Sequence, residues 1–71
     1  MAKRVLPLAA MEKLLKNCGA DRVSDESKAA LRDALEETGE RIGKQAIRLA
    51  NHAGRKTVKA DDIKLARLSV R

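Results

Sequence analysis

Phenylalanine, tyrosine and tryptophan are all absent from this chain, and cysteine, histidine and proline occur once each. Each shortage excludes something. Without aromatic rings there is no platform for stacking the splayed bases of single-stranded nucleic acid. A single cysteine, Cys18, cannot close an internal disulfide. Cys18 and His52 together fall short of the three or four ligands a zinc site takes, so no metal and no other cofactor is expected. No apolar run approaches the ~18 residues of a membrane span, and no apolar signal segment follows Met1-Ala2-Lys3-Arg4. An intracellular protein that does not engage membranes is therefore expected. Interior is scarce too, because a chain of 71 residues buries only roughly 60% of its unfolded surface. With disulfide and metal set aside, a partner chain is the remaining route to a stable fold.

What the chain has in excess is positive charge: sixteen Lys and Arg against ten Asp and Glu, for a net +6. The excess is not spread evenly. Residues 1–24 carry five basic and two acidic side chains, residues 25–53 five and six, and residues 54–71 six and two. A balanced middle thus separates two basic flanks. Basic edges of this kind suit a polyanion, and the missing aromatics favour duplex backbone over single strands. The alternative is a merely soluble cation.

The apolar periodicity predicts an all-α domain spanning 1–71, with a short basic stub over residues 1–5. A first helix is expected over about Leu8–Asn17, with Leu8, Met11, Leu14 and Leu15 on one face. Pro7 suits its first turn and Gly19 its left-handed end. Ser24 is a good N-cap for a second helix, with Asp25 and Glu26 at the positive end of the helix dipole. Leu31, Leu35, Thr38, Ile42, Ala46, Leu49 and Ala53 then form a narrow seam at helical period, ending at Gly54. Glu37–Arg41 and Glu40–Lys44 have the spacing of favourable i,i+4 pairs, whereas Glu36 and Glu40 repel. A third helix is expected over about Ala60–Ser69, with Asp61 and Asp62 in its first turn. The links Gly19–Val23 and Gly54–Lys59 each have room for a two-residue strand.

Length argues for dimerisation. A second helix of about 29 residues is about 43 Å long at 1.5 Å per residue, whereas a compact monomer of this size is roughly 29 Å across. The helix would project with its seam uncovered. Two copies crossing antiparallel about a two-fold axis would cover it. Gly39 and Gly43, each unfavourable in a helix by about 1 kcal/mol relative to Ala, either mark the close crossing or simply loosen the helix.

The order short helix, long helix, short helix with two basic links resembles the histone fold. Gly19-Ala20-Asp21-Arg22-Val23-Ser24 resembles the first loop of archaeal histones. The run from Ala50 through Asn51-His52-Ala53-Gly54-Arg55-Lys56-Thr57-Val58-Lys59-Ala60-Asp61-Asp62-Ile63 is similar to their second loop and third helix. The resemblance is gap-free over about residues 6–68. It implies an intertwined dimer with two short β-bridge loops, and stacked dimers that wrap duplex DNA into chromatin at the nucleoid. DNA contacts would come from paired first helices at the centre and from a paired loop 1 and loop 2 at each end. By this resemblance Arg22 enters a minor groove, Lys56 and Thr57 take phosphates, and Lys13 contacts DNA from the first helix. Arg55, Lys16 and Lys59 are further candidates. Leu31, Leu35, Gly39 and Ile42 would form the dimer core. Leu49, His52, Asp62 and Leu65 would join dimers, with His52 pairing to a neighbour's Asp62 and Arg55 bonding Asp62 in its own chain. Gly19 matches a small residue where superhelical turns approach, although a plain helix stop explains it equally.

Three positions depart from the family pattern: Ala10 where a second Pro is frequent, Gly43 where Ala is usual, and Cys18 where Ala is usual. Cys18 reads as a small packing residue, oxidisable if exposed. Long basic tails are not expected. Catalysis has no support, since His52 has no nucleophile beside it, and no small-molecule substrate is implied. The expected partners are double-stranded DNA, a second copy of the chain and paralogous histones. One rival reading is a histone-fold interaction subunit that dimerises without wrapping DNA. A sequence-specific dimeric regulator would need a recognition helix that the chain lacks.

Overall fold

A computed structural model describes residues 5–69. It contains three helices: α1, Leu8–Asn17; α2, Asp25–His52; and α3, Ala60–Ser69. The bounds agree closely with those expected from the periodicity. Two compact units, Met1–Glu37 and Thr38–Arg71, divide within α2.

Both helix stops have the same local cause. Gly19 and Gly54 take φ of 108° and 74°, a left-handed region in which a Cβ would be strained. At the first stop, Gly19 N–H donates to the Lys16 carbonyl at 3.0 Å and Ala20 N–H to the Leu15 carbonyl at 3.1 Å. At the second, Gly54 N–H donates to Asn51 at 2.9 Å and Arg55 N–H to Ala50 at 2.9 Å. This pair of bonds is a Schellman turn, which satisfies carbonyls that the helix end would otherwise orphan. Each glycine is followed five positions later by the residue just before the next helix, Ser24 or Lys59.

The helix starts differ. Ser24 caps α2 as expected: its Oγ accepts the Ser27 N–H at 3.1 Å, while the Ser27 hydroxyl donates to the Ser24 carbonyl at 2.8 Å. Pro7 stands at the N-cap of α1 rather than inside its first turn, with φ −76° and ψ 145°. Having no hydrogen-bonding side chain, it makes no cap bond there. The start of α1 is held instead by Glu36, whose Oε2 accepts the N–H groups of Val5 and Leu6, the latter at 2.8 Å.

Neither link contains a strand among the described residues. The two-residue strands expected there need a neighbouring strand edge, and the described residues supply none. The pairs Glu37–Arg41 and Glu40–Lys44 are likewise not closed among the described residues. Exposed i,i+4 pairs contribute only about 0.3–0.5 kcal/mol, too little to pin long side chains. Glu36, expected to repel Glu40, is occupied by the Val5 and Leu6 amides.

Each unit taken alone has little interior. Met11 is the buried apolar residue of the first, and Ala46, Ala50 and Ala66 those of the second. Among the described residues no large side chain is fully buried. Ile47, Leu65 and Leu68 are 50%, 57% and 70% exposed. Large apolar side chains left this exposed are available for contact with another surface. Cys18 is exposed at the C-cap of α1, not packed as expected from its small size. Cys18 keeps helical backbone but is the last residue before the turn at Gly19, so no further helical turn covers it.

Candidate nucleic-acid interface

The basic residues named from the sequence fall on α1 and on the two links. Lys13 and Lys16 are exposed on α1, and Arg22 is exposed between the Gly19 stop and the Ser24 cap. Lys56, Thr57 and Lys59 are exposed between the Gly54 stop and α3. Lys13, Arg22 and Lys56 make no ion pair with any described residue. Lys16 is less free, with its Nζ 3.9 Å from Glu12 one turn back.

Arg55 has a different role from its basic neighbours. Its guanidinium forks onto Asp62, Nη2 to Oδ1 at 2.8 Å and Nη1 to Oδ2 at 2.9 Å, and Nη1 also donates to the Thr57 carbonyl at 2.9 Å. Asp62 Oδ2 further accepts the Lys59 N–H at 2.8 Å. One carboxylate thus closes the loop, braces its backbone through Arg55 and caps the start of α3. Asp62 is buried, and its cost of desolvation is outweighed by these bonds. The Arg55 fork first, then the Lys59 amide, hold the Asp62 carboxyl down from its ordinary 3.8 to about 2. Arg55 is in turn held charged by its hydrogen bonds to Asp62. The Arg55–Asp62 bond within one chain was anticipated from the resemblance; the Lys59 cap was not.

The first link has a brace that the sequence does not announce. Lys28 Nζ lies 3.0 Å from Glu12 Oε1 on α1 and 3.0 Å from Asp25 Oδ1 in its own helix. The Lys28 side chain is only 16% exposed. Its hydrogen bond lowers the Glu12 carboxyl below the ordinary range, and Glu12 raises Lys28 above its own. Glu12 and Lys28 lie sixteen residues apart, and no periodic pattern marks a pair at that distance.

The residues assigned to contacts between copies are distributed as follows. Leu31 and Ile42 are half-buried on α2, Leu35 and Gly39 are exposed, and a Cβ built at Gly39 or Gly43 meets nothing within 4 Å. Leu49 is half-buried, His52 and Leu65 are exposed, and Asp62 is buried against Arg55. Gly19 is exposed, with open space where a Cβ would stand. No cluster of three or more potential metal ligands occurs among the described residues.

Three helices in this order, joined by two glycine-stopped basic links of similar build, define a histone-fold protein. A family-wide profile described as "Histone-like transcription factor (CBF/NF-Y) and archaeal histone" matches residues 4–66. The chain is 49% identical over 61 residues to one of the subunits of the archaeal histone HAN1 from Thermococcus zilligii, spanning 86% of this chain and 91% of that protein. It is 44% identical over 61 residues, with the same coverage, to "Probable archaeal histone 3" of Methanocaldococcus jannaschii. The chain belongs to the histone-like transcription factor (CBF/NF-Y) and archaeal histone family. As such it is a DNA-binding chromatin protein built on a fold that dimerises. No helix among the described residues is long and apolar enough to cross a membrane.

Proposed function

We propose that the chain acts as a homodimer that binds duplex DNA without reading its sequence, and that stacked dimers wrap the duplex into nucleosome-like or extended chromatin. The observation that carries this reading is the pair of similarly built links, each presenting an exposed, unpaired cation: Arg22 in one and Lys56 in the other. Wrapping without base readout needs cations where the minor groove turns inward, about every 10 bp; the handling of DNA by eukaryotic histones follows this rule. Arg22 suits the enhanced negative potential of a narrow groove. Lys56 and the Thr57 hydroxyl suit phosphate oxygens, as does Lys13 from α1. Lys16, shared with Glu12, and Lys59 are auxiliary contacts. Arg55 acts on DNA through the shape of its loop, its charge being matched by Asp62.

In the dimer two α2 helices cross antiparallel over Leu31, Leu35, Gly39 and Ile42, and the open space at Gly39 and Gly43 leaves a partner's backbone free to approach. Stacking joins Leu49, His52 and Leu65 to a neighbouring dimer. Asp62 Oδ1 accepts one bond from Arg55, which leaves a lone pair for His52 of a neighbouring dimer. Gly19 lies where successive turns come close. Paralogous chains with the same loops are eligible heterodimer partners. The protein resides on the chromosome in the cytoplasm and uses no cofactor.

Equilibrium binding to two duplexes of unrelated sequence, and to a single strand of the same length, tests this reading. Equal duplex affinities and weaker single-strand binding are expected. A strong preference for one duplex would assign a sequence-specific regulator. Dimerisation without salt-sensitive DNA binding would assign an interaction subunit.

A further inference from the structure

We infer that Lys28, a cation that does not itself touch DNA, positions Arg22 for the minor groove by locking α1 to the start of α2. The inference rests on the proposed role of Arg22. The first link is short and fixed at both ends, by the Schellman turn at Gly19 and the cap at Ser24. Those two features set the backbone at each end but do not tie one helix to the other. Lys28 does so. Its ammonium sits 3.0 Å from Glu12 on α1 and 3.0 Å from Asp25 in the first turn of α2, so the bond between helices closes the loop that carries Arg22.

Two further facts fit this role. Lys28 is less exposed than the other lysine in these ion pairs, at 16% against 52% for Lys16, and an ammonium turned onto two carboxylates is poorly placed to meet a phosphate. The second link has its own brace of one basic and one acidic side chain, Arg55 on Asp62. Each DNA-facing link thus presents exposed cations, Arg22 in the first and Lys56 and Lys59 in the second, beside an acid–base bridge. An ordered loop lets Arg22 enter the groove without first losing conformational freedom, which is how preorganisation raises affinity.

A double-mutant cycle in duplex binding tests the inference, using Lys28→Met and Arg22→Ala separately and together in the full chain. Lys28→Met is expected to weaken binding about two- to five-fold, the range for a partly exposed ion pair. It should leave the salt slope nearly unchanged, because no phosphate contact is lost, and weaken binding clearly less in the Arg22→Ala background, where only the lost charge acts. Lys28→Arg should restore affinity. A salt slope reduced by Lys28→Met would make Lys28 a direct contact and overturn the inference. Equal weakening in both backgrounds would make it a general support of the fold, and no weakening would leave it no role; either result also overturns it. Should Lys28→Met fail to fold, Glu12→Gln is measured instead, in the wild-type and Arg22→Ala backgrounds. Loss of the acid and release of Lys16 raise affinity with or without Arg22, whereas loss of the brace lowers it only where Arg22 is present, so an equal change in the two backgrounds overturns the inference. If Arg22→Ala itself leaves duplex affinity intact, the proposed DNA reading fails before Lys28 is in question.

Discussion

Replacing Arg22 with alanine separates charge contacts from loop shape. Lys13, Arg22 and Lys56 are exposed without ion-pair partners among the described residues. Taking these three as the principal DNA contacts of one chain, a homodimer offers six. At about −0.9 in log K per log salt for each phosphate neutralised, they give a slope of roughly −5.4. Arg22→Ala removes two, leaving roughly −3.6. Between 50 and 200 mM salt the wild type should then lose about 2,000-fold in affinity and the variant only about 150-fold. Lys56→Ala should behave alike. Arg55→Ala should not: its charge is balanced by Asp62 at 2.8 Å, so binding weakens through loop disorder while the slope stays near the wild-type value. Fluorescence anisotropy of a labelled duplex titrated across that salt range measures all three. An unchanged slope for Arg22→Ala, or a loss confined to one DNA sequence, would refute the reasoning.

Three further outcomes are expected. Asp62 has its carboxyl depressed from 3.8 to about 2, so its contribution to stability is full above pH ~3.8 and is lost as pH falls towards ~2. Thermal melts across that window should drop more steeply for wild type than for Asp62→Asn, and parallel curves would contradict the Arg55 fork. His52→Ala should leave dimers intact by sedimentation but confine nuclease protection to the shortest fragment, so a ladder that keeps growing would remove His52 from the stacking contact. Because Ile47, Leu65 and Leu68 stand exposed in the single chain, the thermal midpoint should rise with protein concentration. A midpoint independent of concentration would show that the monomer folds alone.

The helices were legible because their causes are local. The apolar spacing of α1, the Ser24 cap and the left-handed glycines each act within one turn, and the bounds read from them agree with the structure. The Arg55–Asp62 pair was legible only through the resemblance of its loop to a known family. Glu12–Lys28 and the hold of Glu36 on Val5 and Leu6 were not, since they join residues sixteen and about thirty positions apart. Such contacts depend on how one helix returns beside another, which composition and period do not encode. The reverse error has the same source: Glu37–Arg41 and Glu40–Lys44 have the right spacing, but spacing alone does not hold two exposed side chains together. Pro7 illustrates a finer limit. Its fixed φ suits either the N-cap or the first helical position, and the chain uses the former.

Nuclease digestion of long duplex DNA loaded with the wild-type protein tests the central claim most directly. The three contact regions per dimer that the resemblance implies, each meeting an inward minor groove about every 10 bp, would give protection that grows in steps of roughly 30 bp as dimers stack. The account predicts that ladder on DNA of any sequence. A single protected site at one sequence, or digestion no different from naked DNA, would contradict it.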